Sequence, residues 1–186
     1  MNNKIVSMVL LACLSATAGA APVEGWTLAG GSPKSYEIGI DSKEAVSDKG
    51  ARFIRYVEGD DTAFGTLMQQ ISARNYQGKR VRFQAMVKTR EVSQWAGLWM
   101  SALRHGEQYP AAFYNSQDKP INGSADWQLR SVTLDIPADA ATLNFGVIDA
   151  GRGQVWIDRL SLEVVGKEVP VDVMPPRQMP AETPSL

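Results

Sequence analysis

The sequence has a single cysteine and a single histidine in 186 residues. Cys13 lies in an apolar N-terminal segment, so a mature chain that has lost this segment has no disulfide, thiol nucleophile or cysteine-ligated metal. His105 has no second histidine to complete a zinc site. It also lacks a serine elbow or a cysteine nearby, so no catalytic triad is indicated. We therefore expect His105 to be a solvated loop residue.

A strong charge imbalance and the common enzyme motifs are also missing. The formal net charge is −1, which favours neither nucleic acid nor an anionic membrane as a partner. The acidic residues are mostly in turns rather than paired as a glycosidase requires. There is no glycine-rich phosphate loop, metal-ligand spacing or nucleophile elbow. We expect a non-catalytic protein, and an enzyme with an unrecognised site is the alternative.

The N-terminal 20 residues have the pattern of a signal peptide. Lys4 precedes the apolar run Ile5–Leu14, which is shorter than the roughly 20 residues that span a bilayer. Ala18–Ala20 fits the small-x-small rule for cleavage after Ala20. The prediction is a periplasmic or secreted protein without a transmembrane segment in the mature chain. The alternatives are a buried N-terminal helix and a lipoprotein anchored at Cys13, because the residues before it loosely resemble a lipobox.

Strand-like runs separated by turn formers fill most of the remaining chain. About nine such runs lie between Tyr36 and Val165, and none shows a sustained 3.6-residue apolar period. This pattern predicts one all-β domain over residues 21–165, a sandwich or barrel of about eight to nine antiparallel strands. Residues 166–186 contain five prolines and almost no alternation. They are expected to form a proline-rich disordered tail.

Two neighbouring runs show the clearest alternation. In Lys79–Thr89 aliphatic side chains alternate with cations and amides, and in Trp95–Leu103 they alternate with Trp95 and Trp99. Side chains alternate between the faces of a strand, so the two tryptophans share one face, roughly 13 Å apart. Flat indole rings stack on the apolar faces of sugar rings, which makes this face a predicted carbohydrate-binding surface. The alternative is that one tryptophan fills the core.

Other polar residues extend the predicted site. If the two runs pair with each other, Gln84 and Lys88 point to the same side as the tryptophans and offer hydrogen bonds to hydroxyl groups. A polar loop further along the chain is rich in side chains that suit a sugar or a cation, and that equally suit ordinary turn chemistry. These loop residues are Asn115, Gln117 and Asp118.

Three motifs together resemble those of a known fold family. They are Asn75–Gly78 leading into one strand, Asp126–Gln128 leading into another, and the closing run Gln154–Val164. In this order they resemble bacterial galactose-binding-like jelly rolls, and among these the carbohydrate-binding modules attached to glycanases. The resemblance implies a jelly-roll β-sandwich that binds a carbohydrate or similar polar ligand. Phe64–Gln70 and Trp95–Met100 also resemble a recurring bacterial domain of unassigned role, found in stand-alone exported proteins and in regulator fusions.

In many modules of this kind an aspartate of the closing strand and groups of the N-terminal loop hold a structural calcium. The resemblance implies this role for Asp158, with Glu24 as its partner. Calcium takes six to eight oxygen ligands, which two carboxylates plus carbonyl groups would supply. The alternative is that Asp158 caps a bulge. A second functional class also stays open, an interaction module that contacts another envelope protein through the sheet or the proline-rich tail.

Overall fold

Most of the predicted runs form strands in the computed structural model, which describes residues 23–176. The signal peptide predicted over residues 1–20 and the predicted anchor Cys13 lie outside the described residues. Within residues 23–176 no helix is long and apolar enough to span a membrane. The nine strands are β1 (Thr27–Gly30), β2 (Tyr36–Asp41), β3 (Ala51–Tyr56), β4 (Phe64–Ser72), β5 (Arg80–Arg104), β6 (Ala112–Tyr114), β7 (Ile121–Asp135), β8 (Ala140–Ala150) and β9 (Gln154–Val165).

The long strand β5 belongs to two sheets. Its first half, residues 80–90, pairs with β7 and β9, and its second half, residues 95–104, pairs with β8 and β6. Register shifts between Val87 and Ala96 and the left-handed backbone of Glu91 (φ 53°) mark the bend between the halves. The two alternating runs that we predicted as neighbouring strands are therefore one strand that passes from one sheet to the other.

The pairings, all antiparallel, give two layers. One layer has the order β1-β4-β8-β5-β6 and uses the second half of β5. We name it the tryptophan sheet because it carries Trp95 and Trp99. The opposing sheet has the order β2-β3-β9-β5-β7 and uses the first half. Phe83 of the opposing sheet meets Phe145 of the tryptophan sheet with ring centroids 4.9 Å apart. The hydrophobic core lies between the layers, so the predicted all-β sandwich is confirmed.

A loop covers the outer face of the opposing sheet. Trp156 lies beneath this loop, residues 42–50, and forms a small second core with Ala51 and Phe53. Glu44 of the loop accepts hydrogen bonds from Lys88 (2.8 Å) and Arg90 (2.9 Å). The outer face of the tryptophan sheet has no equivalent cover among the described residues, and it carries an open cleft.

The segment after β9 is held against the sandwich. Nη1 of Arg80 donates to the carbonyl oxygen of Lys167 at 2.7 Å. The backbone N–H of Asp172 donates to the carbonyl of Thr133, and the Asp172 carboxylate accepts from the Thr133 N–H, both at 2.9 Å. The predicted disordered tail therefore does not begin directly after β9, because the edge of β7 supplies partners for the chain. Residues 177–186 lie outside the described part of the chain.

Candidate ligand-binding cleft

A cleft of about 510 Å³ lies on the outer face of the tryptophan sheet. Its walls come from β1, β4, β8, β5 and β6, whose outward side chains meet because the strands are in antiparallel register. The lining residues are Ala29, Gly30, Thr62, Ala63, Phe64, Thr66, Met68, Gln94, Trp95, Trp99, Phe113, Asn115, Gln117, Ile148 and Ala150. Four of the predicted site residues are in this set, namely both tryptophans, Asn115 and Gln117.

Trp95 and Trp99 are both half-buried in the cleft wall. The indole Nε1–H of Trp99 donates to Thr66 Oγ1 at 2.7 Å, and that hydroxyl donates to the carbonyl oxygen of Val147 at 2.9 Å. These two linked hydrogen bonds fix the edge of the Trp99 ring. The alternative that a tryptophan of this pair is sealed in the core does not hold, because Leu98 and Met100 occupy the inward positions of this strand.

Gly97 separates the two tryptophans on the same face. A β-carbon at this position would lie 2.9 Å from Cβ of Ser116 and 3.5 Å from the Trp95 ring. The distance of 2.9 Å to Ser116 is too short for an ordinary contact between carbon atoms. Ser116 follows β6, and its hydroxyl donates to the carbonyl oxygen of Leu98 at 2.7 Å. The glycine therefore lets the loop after β6 close on β5 and carry its amide side chains to the cleft.

Amide side chains supply much of the polar lining. Asn115 is half-buried and its Oδ1 accepts from the backbone N–H of Gln117 at 3.2 Å. The amide nitrogen of Gln94 donates to the carbonyl oxygen of Asp61 at 2.9 Å. None of the cleft-lining residues in the described part of the chain carries a formal charge. The cleft therefore combines flat apolar walls with neutral donors and acceptors.

Three predicted site residues lie elsewhere. Gln84 and Lys88 are on the first half of β5, in the opposing sheet, where Lys88 pairs with Glu44. The prediction that they share a face with the tryptophans is wrong, because the two halves of β5 do not pair with each other. Asp118 does not line the cleft, and its Oδ1 accepts from the hydroxyl of Tyr114 at 2.6 Å.

Sequence reasoning missed part of the cleft wall. Phe113 and Phe64 stand on β6 and β4, with 39% and 40% of their surface exposed. Phe64, Thr66 and Met68 share one face of β4 and alternate with the inward Leu67, a period-two signal that was available in the sequence. Ile148 gives no such signal, because β8 is buried along nearly all of its length.

Asp158 and Glu24, the predicted calcium ligands, line a second cavity between the edges of the two sheets. Oδ2 of Asp158 accepts from the backbone N–H groups of Val46 and Ser47, and Oδ1 accepts from Ser47 Oγ and the Arg159 N–H, all at 2.7 Å. Burial alone would raise the pKa of Asp158, but these hydrogen bonds hold it below its usual value.

The geometry of Asp158 matches its predicted alternative, a cap on the β9 bulge, where Arg159 has a left-handed backbone (φ 48°). Among residues 23–176 there is no group of three or more histidine, cysteine, aspartate or glutamate side chains that would hold a metal ion. Calcium binding stays a prediction, which an unchanged melting temperature at millimolar calcium would contradict.

Asp149 is the most unusual titratable group of the described chain. It lies on the inner face of β8 and is completely buried, and neither carboxylate oxygen has a hydrogen-bond partner among the described residues. Loss of hydration raises its pKa to about 8. Burial, followed by the proximity of Asp149, also raises the pKa of Tyr36, whose hydroxyl donates to the carbonyl of Gly151 at 2.7 Å. His105 is exposed, as expected.

Comparison with known proteins gives one curated relative. No family model matches this chain. The relative is described as an uncharacterized HTH-type transcriptional regulator of Bacillus subtilis, and it is 35% identical over 149 residues. The match covers 80% of this chain and 50% of the relative. This chain thus spans about half the length of the curated relative that it matches.

Among solved structures, the fold is similar to that of carbohydrate-binding modules. The CBM22-1 xylan-binding domain from Paenibacillus barcinonensis has 13% identity and a TM-score of 0.57, over 79% of this chain and 90% of that domain. The C-terminal family 22 carbohydrate-binding module of Clostridium thermocellum has 16% identity and a TM-score of 0.55, over 78% and 89%. At such identities the likeness shows the fold. The chain therefore has the jelly-roll β-sandwich fold of these modules, as the sequence motifs predicted.

Proposed function

We propose that this chain is an exported, non-catalytic domain that binds a neutral carbohydrate in the cleft lined by Trp95 and Trp99, the tryptophan cleft. The observation that carries the proposal is the pair of half-buried indoles, Trp95 and Trp99, on one uncharged sheet face. Structural neighbours with the same fold include xylan-binding domains, which supports a carbohydrate as the class of ligand. The predicted signal peptide supports export to the periplasm or the medium.

The dimensions and chemistry of the cleft fit a short oligosaccharide. Its volume of about 510 Å³ lies in the range of roughly 300–1,000 Å³ that is typical of small-molecule sites. Sugar rings have apolar C–H faces, which the indoles and Phe113 would cover, and hydroxyl edges, which Asn115 and Gln117 would bind. The absence of charge from the described lining favours neutral sugars over acidic ones.

Replacement of Trp95 tests this proposal. We expect Trp95→Ala to weaken binding of a neutral oligosaccharide by about tenfold or more, because one of the two indole surfaces of the cleft is lost. Isothermal titration against a panel of neutral oligosaccharides, with xylo-oligosaccharides included, measures the change. The melting temperature is recorded in parallel, so that loss of binding is separated from loss of folding.

The matched control is Trp127→Ala. Trp127 is also a half-buried tryptophan, but it lies on β7 and packs against the small second core of the opposing sheet. We expect this variant to bind the oligosaccharide as the wild type does. Equal loss of affinity in both variants, or unchanged affinity in Trp95→Ala, would contradict the proposed location of the site.

A second candidate function is ligand sensing. The curated relative is described as an uncharacterized HTH-type transcriptional regulator, and this chain matches about half of its length. In this candidate the same cleft takes a small neutral ligand, and occupancy changes the affinity for another protein. Affinity capture with and without the bound oligosaccharide distinguishes the candidates, because only the sensing function requires a partner whose binding depends on ligand.

A further inference from the structure

We propose a second binding site, in the cavity between the sheet edges, that takes the carboxylate group of a small ring-shaped ligand. This cavity has a volume of about 610 Å³ and shares no lining residue with the tryptophan cleft. It lies where β3 begins beside β9, next to the pair Arg52 and Ile157. The inference goes beyond the proposed function and does not depend on it.

Arg52 is the main reason for this assignment. Its side chain lines the cavity and is partly buried, and its Nε atom is buried without a hydrogen-bond partner. Arg52 forms no ion pair among the described residues, whereas six other arginines do; of the remaining arginines in residues 23–176, Arg74, Arg130 and Arg159, only the exposed Arg159 also lines this cavity. Those six are Arg55, Arg80, Arg82, Arg90, Arg104 and Arg152. A partly buried cation without an ion-pair partner loses hydration that no protein charge replaces, and an anionic ligand in the cavity would supply the missing partner.

The guanidinium group of Arg52 is held in place by an aromatic ring. Its Cζ atom lies 5.6 Å from the centroid of the Trp26 ring, within the range of a cation–π contact. Trp26 in turn meets Phe145 edge to face, with centroids 6.0 Å apart. Trp26, Phe145 and Phe83 all line the cavity. The cavity therefore has apolar aromatic walls beside a positioned cation.

The other charged residues of this cavity do not neutralise Arg52. The Asp158 carboxylate is occupied by its four hydrogen bonds from residues 46, 47 and 159. Glu24, Asp48, Lys49 and Arg159 are exposed at the rim. Charges in contact with water are screened, and no acidic side chain of residues 23–176 forms an ion pair with Arg52, so its guanidinium is left to pair with an anion in the cavity.

These features select the class of ligand. A guanidinium group binds a carboxylate through two parallel N–H bonds, a geometry that a lysine ammonium group does not reproduce. The aromatic walls favour a ligand whose carboxylate is attached to a flat or pyranose ring. Glucuronate represents the acidic sugars and benzoate the aromatic acids, and glucose is the neutral comparison.

The test is to add glucuronate, benzoate or glucose to the full chain. Isothermal titration calorimetry measures the affinity, and the NMR signal of the Trp26 indole N–H reports the location of binding. We expect at least one of the two carboxylates to bind and to shift the Trp26 signal, and glucose to leave that signal unchanged. Arg52→Gln should weaken carboxylate binding by about tenfold or more, and Arg52→Lys should restore it only in part. Melting curves of both variants verify that they fold.

Trp95→Ala is the matched control for this site, and it should bind the carboxylate as the wild type does. Arg52→Gln should still bind the neutral oligosaccharide in the tryptophan cleft, so failure of one site is distinguishable from failure of the other. Absence of binding by both carboxylates at millimolar concentration would overturn the proposal. Unchanged affinity in a folded Arg52→Gln variant, or loss of affinity in Trp95→Ala, would overturn it as well.

Discussion

Asp149→Asn is expected to raise the free energy of unfolding at pH 8 by about 5 kcal/mol. The native protein holds Asp149 in the core without a hydrogen-bond partner among the described residues, and its pKa is raised to about 8. In the unfolded chain the same carboxyl group has an ordinary pKa near 3.8. The difference is about four units, each worth about 1.4 kcal/mol.

The direction of the pH dependence follows from proton binding. Between about pH 4 and pH 8 the native state holds one proton on Asp149 that the unfolded state has released. Stability is therefore highest below the unfolded pKa and falls as the pH rises through the folded pKa. Asparagine does not ionise, so the variant should lose this dependence and match the wild type near pH 4.

Urea unfolding at one-unit steps from pH 4 to pH 8 measures both parts of this prediction. The wild type should lose stability steadily over this window, and Asp149→Asn should remain nearly flat. A wild type whose stability is constant from pH 4 to pH 8 would show that Asp149 is not a buried neutral carboxyl group.

The second large effect is expected for Asp158→Ala, which should lower the free energy of unfolding by about 3 kcal/mol. The substitution removes the acceptor of four hydrogen bonds and leaves the N–H groups of Val46 and Ser47 without a partner. It also releases the loop that covers Trp156. The lowered pKa of Asp158 also makes the stability of the wild type depend on pH. The stabilisation is fully present above the ordinary pKa of an aspartate and is lost as the pH falls through the lowered pKa.

Asp48→Ala is the matched control, because Asp48 is an exposed aspartate of the same loop. Denaturant unfolding at pH 7 should show a change within about 0.5 kcal/mol for this control and a clear loss for Asp158→Ala. If both variants were as stable as the wild type, the hydrogen bonds to Asp158 would not hold the loop.

The fold was predictable because period-two alternation is strong where one face of a strand meets the core. The run from Trp95 to Ala102 places aliphatic side chains inward and the two indoles outward, as the sequence predicted. The path of β5 was not predictable, since local alternation says nothing about which strand pairs with which. Gln84 and Lys88 were misplaced for this reason.

The site was predictable only where one strand or one loop contributes several residues. Trp95, Trp99, Asn115 and Gln117 meet this condition, and all four line the cleft. The alternation along β4 indicates the face on which Thr66 lies, but its hydrogen bond with Trp99 joins β4 to β5 and depends on strand pairing that local alternation does not show. The cavity between the sheet edges, which Arg52 lines, was not predicted for a related reason. Its walls come from both sheets and from the loop between β2 and β3.

The most direct test of the account is an NMR titration with a neutral oligosaccharide, followed through the five tryptophan indole N–H signals. Carbohydrate binding in the tryptophan cleft predicts that the signals of Trp95 and Trp99 shift, while those of Trp127 and Trp156 on the opposing sheet stay in place. Shifts confined to Trp127 or Trp156, or no shift with any neutral sugar at millimolar concentration, would contradict the proposed site.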